Sequence, residues 1–326
     1  MLGITEKIVY DIYIFYFTEN RMQEKLERLT KECTSYTKEG ALASYIPELT
    51  KADRNMLGAY LIQQDGTHVF SGDYMHKFTM QSIAKTILLL QALLDNGIDV
   101  VRSRVGVEAT GKPFDAINVG DQKLDSKNLN PMVNMGAIML GTLIKGDTYL
   151  EKFERVLELT RTLAGNPDIH IDEAVYQSEK SWGNKNRALA YMLKANGMID
   201  DDVEDVLDCY FRACSISITC KDLAHIGFVF ASRGLSCNSS ERLVPEEYTR
   251  YVNAILMTCG MYDGSGEFAI RVGVPAKSGV GGGIMAVVPT HMGIGIYSPA
   301  LDEKGNSVAG IHLLEKLSQE LHLSIF

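Results

Sequence analysis

Strand-like sequence lies at both ends of this 326-residue chain, and helix-like sequence fills its middle. Near the front, Leu57-Gly58-Ala59-Tyr60-Leu61-Ile62, a turn at Asp65-Gly66 and Thr67-His68-Val69-Phe70 read as a hairpin. Near the end, Gly283 to Val288 and His291 to Tyr297 are short apolar runs separated by Pro289-Thr290, the pattern of antiparallel strands. Between about 95 and 265 the pattern is mainly helical, with helical spacing over 149–164, 186–196, 201–213 and 220–232. Residues 22–38 and about 306–321 predict helices that frame the strands. The economical arrangement is an α+β fold, in which one antiparallel sheet is made from the two ends, flanked by terminal helices, with a helical lobe inserted between them. Residues 22–326 then form one domain, with a sheet lobe of about 22–94 and 266–326 and a helical lobe of about 95–265. A ligand is expected in the cleft between lobes. Residues 1–21 read as an N-terminal extension, and Met22, which opens an amphipathic helix, is a second candidate start.

Charge and cysteine usage remove several classes of function. A net charge of −9, with no basic run, argues against a nucleic-acid-binding surface. The apolar run Ile12 to Phe17 is too short to span a bilayer, and no small-residue cleavage site follows it. Neither a membrane span nor a signal peptide is expected. The six cysteines form no C-x-x-C pair, and no histidine cluster completes a zinc site. The expectation is a cytoplasmic protein with reduced thiols, no metal and no organic cofactor.

Two short motifs carry the chemistry. Ser82-Ile83-Ala84-Lys85 opens an apolar run, Ile83 to Leu94, that reads as a helix. Three residues are nearly one helical turn, so Ser82 and Lys85 share a face. A serine hydroxyl becomes a nucleophile when a base takes its proton, and a desolvated lysine can be that base. A helix N-cap is the competing role for Ser82, and a solvated surface lysine the competing role for Lys85. The apolar neighbours Ile87 to Leu90 predict a buried Lys85, which needs a partner or a lowered pKa. Late in the chain comes Lys277-Ser278-Gly279-Val280-Gly281-Gly282-Gly283. A glycine-rich turn or a phosphate loop would share this composition, but G-K-[ST] at the start of a helix is missing. S-x-x-K early and K-[ST]-G late is the order used by penicillin-binding proteins and class A β-lactamases. Ser82 is expected at a sheet-to-helix junction and Lys277 to Val280 in a sheet strand, both facing the cleft.

Further stretches extend the pattern: Tyr45-Ile46-Pro47-Glu48-Leu49, Phe78 to Lys85, Asn130-Pro131-Met132-Val133-Asn134-Met135-Gly136-Ala137, Val175-Tyr176-Gln177-Ser178-Glu179, Asn186-Arg187-Ala188, Tyr210-Phe211-Arg212-Ala213-Cys214-Ser215, and Tyr262-Asp263-Gly264-Ser265-Gly266-Glu267-Phe268. In order and spacing these blocks resemble the serine-dependent glutaminase family, in its short bacterial form, over roughly residues 23–322. Thr79, Met80, Ala84 and Met135 depart from the commoner family residues, and Gly106 to Asn118 is the least family-like stretch.

The resemblance implies a β-lactamase-like fold and hydrolysis of L-glutamine to glutamate and ammonia through a glutamyl-serine intermediate. It implies Ser82 as nucleophile and Lys85 as base, with the N–H groups of Ser82 and Val280 holding the oxyanion. Glutamine's head group is a zwitterion, so the site needs an anion for the ammonium and neutral donors for the carboxylate. By resemblance Glu179 binds the ammonium, Asn134 and Asn186 bind the head group, and Tyr262 lies beside the substrate. No well-placed histidine occurs in these blocks, so Tyr210 and Tyr262 are the expected proton-handling groups. Gln81 and Tyr45 are carried over at the substrate's edge. The family further implies a homodimer or homotetramer. A penicillin-recognising acyl-serine hydrolase and a non-catalytic glutamine-binding protein are the alternatives. Ser126-Lys127-Asn128 mimics the S-x-N element of β-lactamases but lies in a polar loop, and Asn238-Ser239-Ser240 is a formal glycosylation sequon without consequence in a cytoplasmic chain.

Overall fold

The computed structural model describes residues 20–109, 125–126, 129–239 and 241–326. Residues 1–19, residues 110–118 of the least family-like stretch, Lys127 and Asn128, and Ser240 of the sequon lie outside the described residues.

The two ends of the chain meet in one sheet. Strands β1 (Gly58–Gln63), β2 (His68–Gly72), β6 (Ala276–Ser278), β7 (Gly283–Val288) and β8 (Met292–Tyr297) are ordered β2-β1-β8-β7-β6, every pair antiparallel. The seam is β1 against β8, from Gly58 opposite Tyr297 to Gln63 opposite Met292. Period-2 alternation gives this sheet two apolar faces. Ala59, Leu61, Ile284, Ala286, Ile294 and Ile296 pack with Leu26 and Leu29 of α1 (20–33) and with Leu313, Leu314 and Leu317 of α11 (Val308–Leu321). Each fully buried Leu or Ile of this set contributes about 1.5–3 kcal/mol.

The opposite face is covered by a helix from the middle of the sequence, α8 (Cys220–Ala231), which lies across β8, β7 and β1. β8 reads Met-Gly-Ile-Gly-Ile-Tyr, and its two glycines face α8. A Cβ on Gly293 would stand 2.1 Å from the Phe228 nitrogen, and one on Gly295 would stand 2.1 Å from the Cys220 carbonyl oxygen. The helix therefore rests backbone against backbone, at a distance no other residue permits. A complete capping box, Thr219 with Asp222, fixes where α8 starts.

Among the described residues seven helices form the second mass: α2 (Ala84–Arg104), α3 (Asn134–Leu143), α4 (Tyr149–Ala164), α5 (Glu173–Trp182), α6 (Asn184–Ala195), α7 (Val203–Cys214) and α9 (Glu246–Cys259), while Phe268 of α10 (Ser265–Arg271) packs with α1 and α11. Alpha-helix α2 is broken at Gly97, where φ is +80° and the chain leaves helical geometry. A small sheet, ordered β3-β5-β4, joins β3 (Phe78–Thr79), β4 (His170–Ile171) and β5 (Ile216–Ile218). Strands of two or three residues carry no readable period, which is why the sequence does not announce them. This sheet ties the segment before Ser82 to the segment after Cys214: Phe78 pairs with Ile218, and Met80 N–H donates to the Ile216 carbonyl at 2.9 Å.

Two local expectations change. The first helix ends at residue 33, and Thr34–Lys38 is a 3-10 turn rather than its continuation. The strand expected over Lys277 to Val280 stops at Ser278, because Gly279 to Gly282 close a tight turn in which the Gly282 N–H donates to the Gly279 carbonyl. Among the described residues no helix is long and apolar enough to cross a membrane. Replacing Gly295 by Ala should lower unfolding free energy by about 1–3 kcal/mol or more through overpacking against Cys220, measured by urea denaturation; unchanged stability would show that α8 can lift off the sheet freely.

Candidate active site

Ser82 sits where β3 gives way to α2, inside a 3-10 turn, Gln81–Ile83. Gln81, directly before it, has φ +50° and is buried. That left-handed step is unusual for a side chain with a Cβ and turns the chain sharply into the helix.

Lys85 is fully buried one turn further on. Its Nζ lies 3.1 Å from Ser82 Oγ, 2.6 Å from Asn134 Oδ1 and 3.3 Å from the Met132 carbonyl oxygen. Both carbonyl oxygens can only accept, so two positions on this amine must carry hydrogens. The same nitrogen also meets the Ser82 hydroxyl, donating to it as an ammonium and able to present a lone pair to it as a neutral amine. Asn134 Nδ2 donates to Asn186 Oδ1 at 2.8 Å, which fixes the Asn134 amide with its oxygen toward Lys85. Asn134 opens α3, and Asn186 lies in the first turn of α6.

A second cluster adjoins the first. Tyr45, Gln81 and Glu179 meet through the Tyr45 hydroxyl, which hydrogen-bonds both the Gln81 amide oxygen and the Glu179 carboxylate. A phenol has one proton, so Tyr45 can donate to only one of these two acceptors at a time, while the Gln81 Nε2 donates to Thr79 Oγ1 at 3.2 Å. The Tyr45 ring is half exposed while its hydroxyl reaches into this enclosed cluster. Glu179 is buried, and desolvation pushes its pKa up to about 7, against the opposing hydrogen bonds from Tyr45 and Gln81 and the charge of Lys85.

The third group closes the site from the sheet. Tyr262 has φ +53° and its hydroxyl lies against Ser82 Oγ and the Val280 N–H. Burial raises its pKa. Below it, Lys277 Nζ stands 4.4 Å from the ring centroid and donates to the Gly260 carbonyl at 3.1 Å and the Ser278 carbonyl at 2.6 Å. Burial and the nearby Lys85 charge push Lys277 well below the usual lysine range. Gly279 brings this turn beside the nucleophile: a Cβ there would meet the Met80 carbonyl oxygen at 2.5 Å. Tyr210, on α7, is buried and lies near Glu179, Tyr262 and the Cys214 thiol, and burial drives its pKa far up.

All ten residues singled out in the sequence thus fall in one connected constellation: Tyr45, Gln81, Ser82, Lys85, Asn134, Glu179, Asn186, Tyr210, Tyr262 and Val280. Sequence reasoning missed two members, and the packing of a third, Lys277, which its motif already places at the cleft. The Met132 carbonyl is backbone and carries no signal. Cys214 bonds Tyr210 from one turn along α7, an i, i+4 spacing that could have been read. The packing of Lys277 beneath Tyr262 follows only from the sheet. Among the described residues no three His, Cys, Asp or Glu side chains gather to hold a metal.

A mixed sheet-and-helix body with a serine–lysine pair at a helix start defines a β-lactamase-like fold. A glutaminase family model matches residues 40–326. Glutaminase of Clostridium tetani (strain Massachusetts / E88) is 53% identical over 305 residues, covering 94% of this chain and 100% of that protein. Glutaminase 2 of Clostridium perfringens (strain 13 / Type A) is also 53% identical over the same shares. The solved covalent complex of Bacillus subtilis glutaminase with 5-oxo-L-norleucine is 38% identical with a TM-score of 0.85, over 93% of this chain and 99% of that one. The chain belongs to the glutaminase family and is an enzyme of glutamine hydrolysis.

Replacing Asn134 by Leu should cost about 1.5–3 kcal/mol in denaturant unfolding, because the buried Lys85 loses its shortest acceptor. A variant as stable as the parent would mean the Lys85–Asn134 bond contributes nothing net.

Proposed function

We propose that this chain hydrolyses L-glutamine to L-glutamate and ammonia with Ser82 as nucleophile and Lys85 as its base. The observation that carries this reading is the fully buried Lys85 amine, anchored on the Asn134 and Met132 oxygens and 3.1 Å from Ser82 Oγ. Lys85 takes the hydroxyl proton as Ser82 Oγ bonds to the side-chain amide carbon. The N–H groups of Ser82 and Val280 hold the oxyanion. Proton delivery to the amide nitrogen runs through Lys85, Tyr262 or Tyr210; the C–N bond breaks, ammonia leaves and a glutamyl ester remains. Water then attacks the ester carbon, giving a proton to Lys85, and the Ser82–carbon bond breaks as Lys85 returns a proton to Ser82 Oγ, releasing glutamate. No metal or organic cofactor enters any step.

Glu179 pairs with the substrate ammonium, and Tyr45 and Gln81 hold that carboxylate in place. Asn134 and Asn186 serve the head group, and Tyr262 stands beside the scissile amide. We further place the enzyme in the cytoplasm, a reading supported by its six free cysteines.

Ser82→Ala should abolish ammonia release from glutamine while leaving the protein folded; residual turnover near the parent rate would overturn the nucleophile assignment. The pH dependence of binding has a definite sign. Only ionised Glu179 attracts the ammonium, and its pKa in the empty site is about 7. KM for glutamine should therefore rise as pH falls through 7, approaching about tenfold per unit well below it, and binding near pH 6 should release about one proton. A KM flat from pH 6 to 8, with no proton release in calorimetry in buffers of different ionisation enthalpy, would remove Glu179 from this role.

A further inference from the structure

Helices α5 and α7, which carry Glu179 and Tyr210, are clamped together by a single carboxylate outside the constellation described above. Asp208 of α7 accepts from the Tyr176 hydroxyl and, at 2.9 Å, from Lys180 Nζ, both on α5. Its second oxygen accepts from Arg212 Nε at 2.7 Å. The Arg212 guanidinium also lies 4.4 Å over the Tyr176 ring and donates to that hydroxyl at 3.2 Å. Lys180 Nζ reaches the same hydroxyl at 3.2 Å. These donors outweigh the desolvation of Asp208 and hold its pKa below the usual carboxylate range. Tyr176 and Lys180 bracket Glu179 on α5, three residues before it and one after.

We infer that Asp208 is a positioning residue for ammonium recognition, acting through α5 on the placement of the Glu179 carboxylate. Isolated exposed ion pairs contribute little, but this cluster is partly buried, joins two helices and converges four donor bonds on one residue and its tyrosine partner. Fixing α5 against α7 fixes Glu179 relative to Tyr210 on α7 and, through the packing of α7 on the Gln81–Ile83 turn, relative to Gln81. The inference rests on Glu179 as the ammonium partner. A misplacement of 1 Å can cost about 100-fold in a catalytic constellation, so a small rotation of α5 is enough to be measured.

The test compares glutamine with glutaric acid monoamide, which has the same side-chain amide and carboxylate but no ammonium. Asp208→Asn should raise the glutamine KM about tenfold, leave kcat within about twofold and leave kcat/KM for the monoamide unchanged. Asp208→Glu should restore part of the loss. Tyr176→Phe, which removes the hydroxyl and its three hydrogen bonds but leaves the Lys180 and Arg212 bonds to Asp208, should raise the glutamine KM in the same direction but less, and it serves if Asp208→Asn does not fold. Equal losses on both substrates, or a glutamine KM unchanged in both Asp208→Asn and Tyr176→Phe, would overturn the inference and leave Asp208 a structural clamp only. Glu179→Gln run in parallel separates the two ideas. If Glu179→Gln selectively weakens glutamine and Asp208→Asn does not, the positioning role fails while the ammonium role stands. If Glu179→Gln itself weakens both substrates equally, the ammonium role falls and this inference with it.

Discussion

Burying the amine of Lys85 is the constraint on which the rest of this enzyme depends. A lysine removed from water must find acceptors for its hydrogens, and an unmet donor costs more than a met one gains. The acceptors here come from three separate places: Ser82 in the turn before α2, the Met132 carbonyl, and Asn134 at the start of α3. Asn134 is itself oriented by Asn186 of α6. Satisfying one nitrogen therefore fixes the relative positions of α2, α3 and α6. The same requirement points the amine at the Ser82 hydroxyl.

The sheet answers a different demand, bringing the Val280 turn and Tyr262 to the same hydroxyl from the other end of the chain. Pairing of β1 with β8 joins the two ends. The glycines of β8 let α8 lie directly on the sheet, and β3 and β5 hold the approach to Ser82 beside the segment that follows Tyr210. Around the site, burial moves three titratable groups toward their neutral forms: Glu179 and Tyr262 upward, Lys277 downward. Under the proposed function, an ammonium arriving beside Glu179 adds opposite charge and favours the ionised carboxylate.

Much of this was legible in particular residues. Helix α4 was read at its observed bounds because Phe153, Val156, Leu157, Thr160 and Leu163 repeat at helical spacing and the opposite face is charged. Strand β7 was read as a strand because it is apolar throughout and bounded by glycine and proline. Helix α3 was not delimited, since eight of its ten residues are buried and no polar face marks a period. The end of β6 at Ser278 was missed because a glycine run fits a strand or a turn equally well. At the site, Ser82 and Lys85 were legible from spacing alone as a candidate pair, whereas Glu179, Asn134 and Asn186 became candidates only through the resemblance of whole blocks. No local signal separates a buried, substrate-facing Glu from a solvated one.

The sequence by itself determined which groups are near each other along one helix or strand: Ser82 with Lys85, Tyr210 with Cys214, Lys277 with the glycine turn. Helix and strand periods are local, so residues a turn apart are neighbours in any fold that keeps the helix. Only the tertiary structure decided that these separate pairs share one enclosed space, that Glu179 is buried with its pKa near 7, and that Asp208 clamps the helix carrying it to the helix carrying Tyr210. Burial and electrostatics depend on everything that surrounds a group in three dimensions, and residues far apart in the chain provide most of those surroundings.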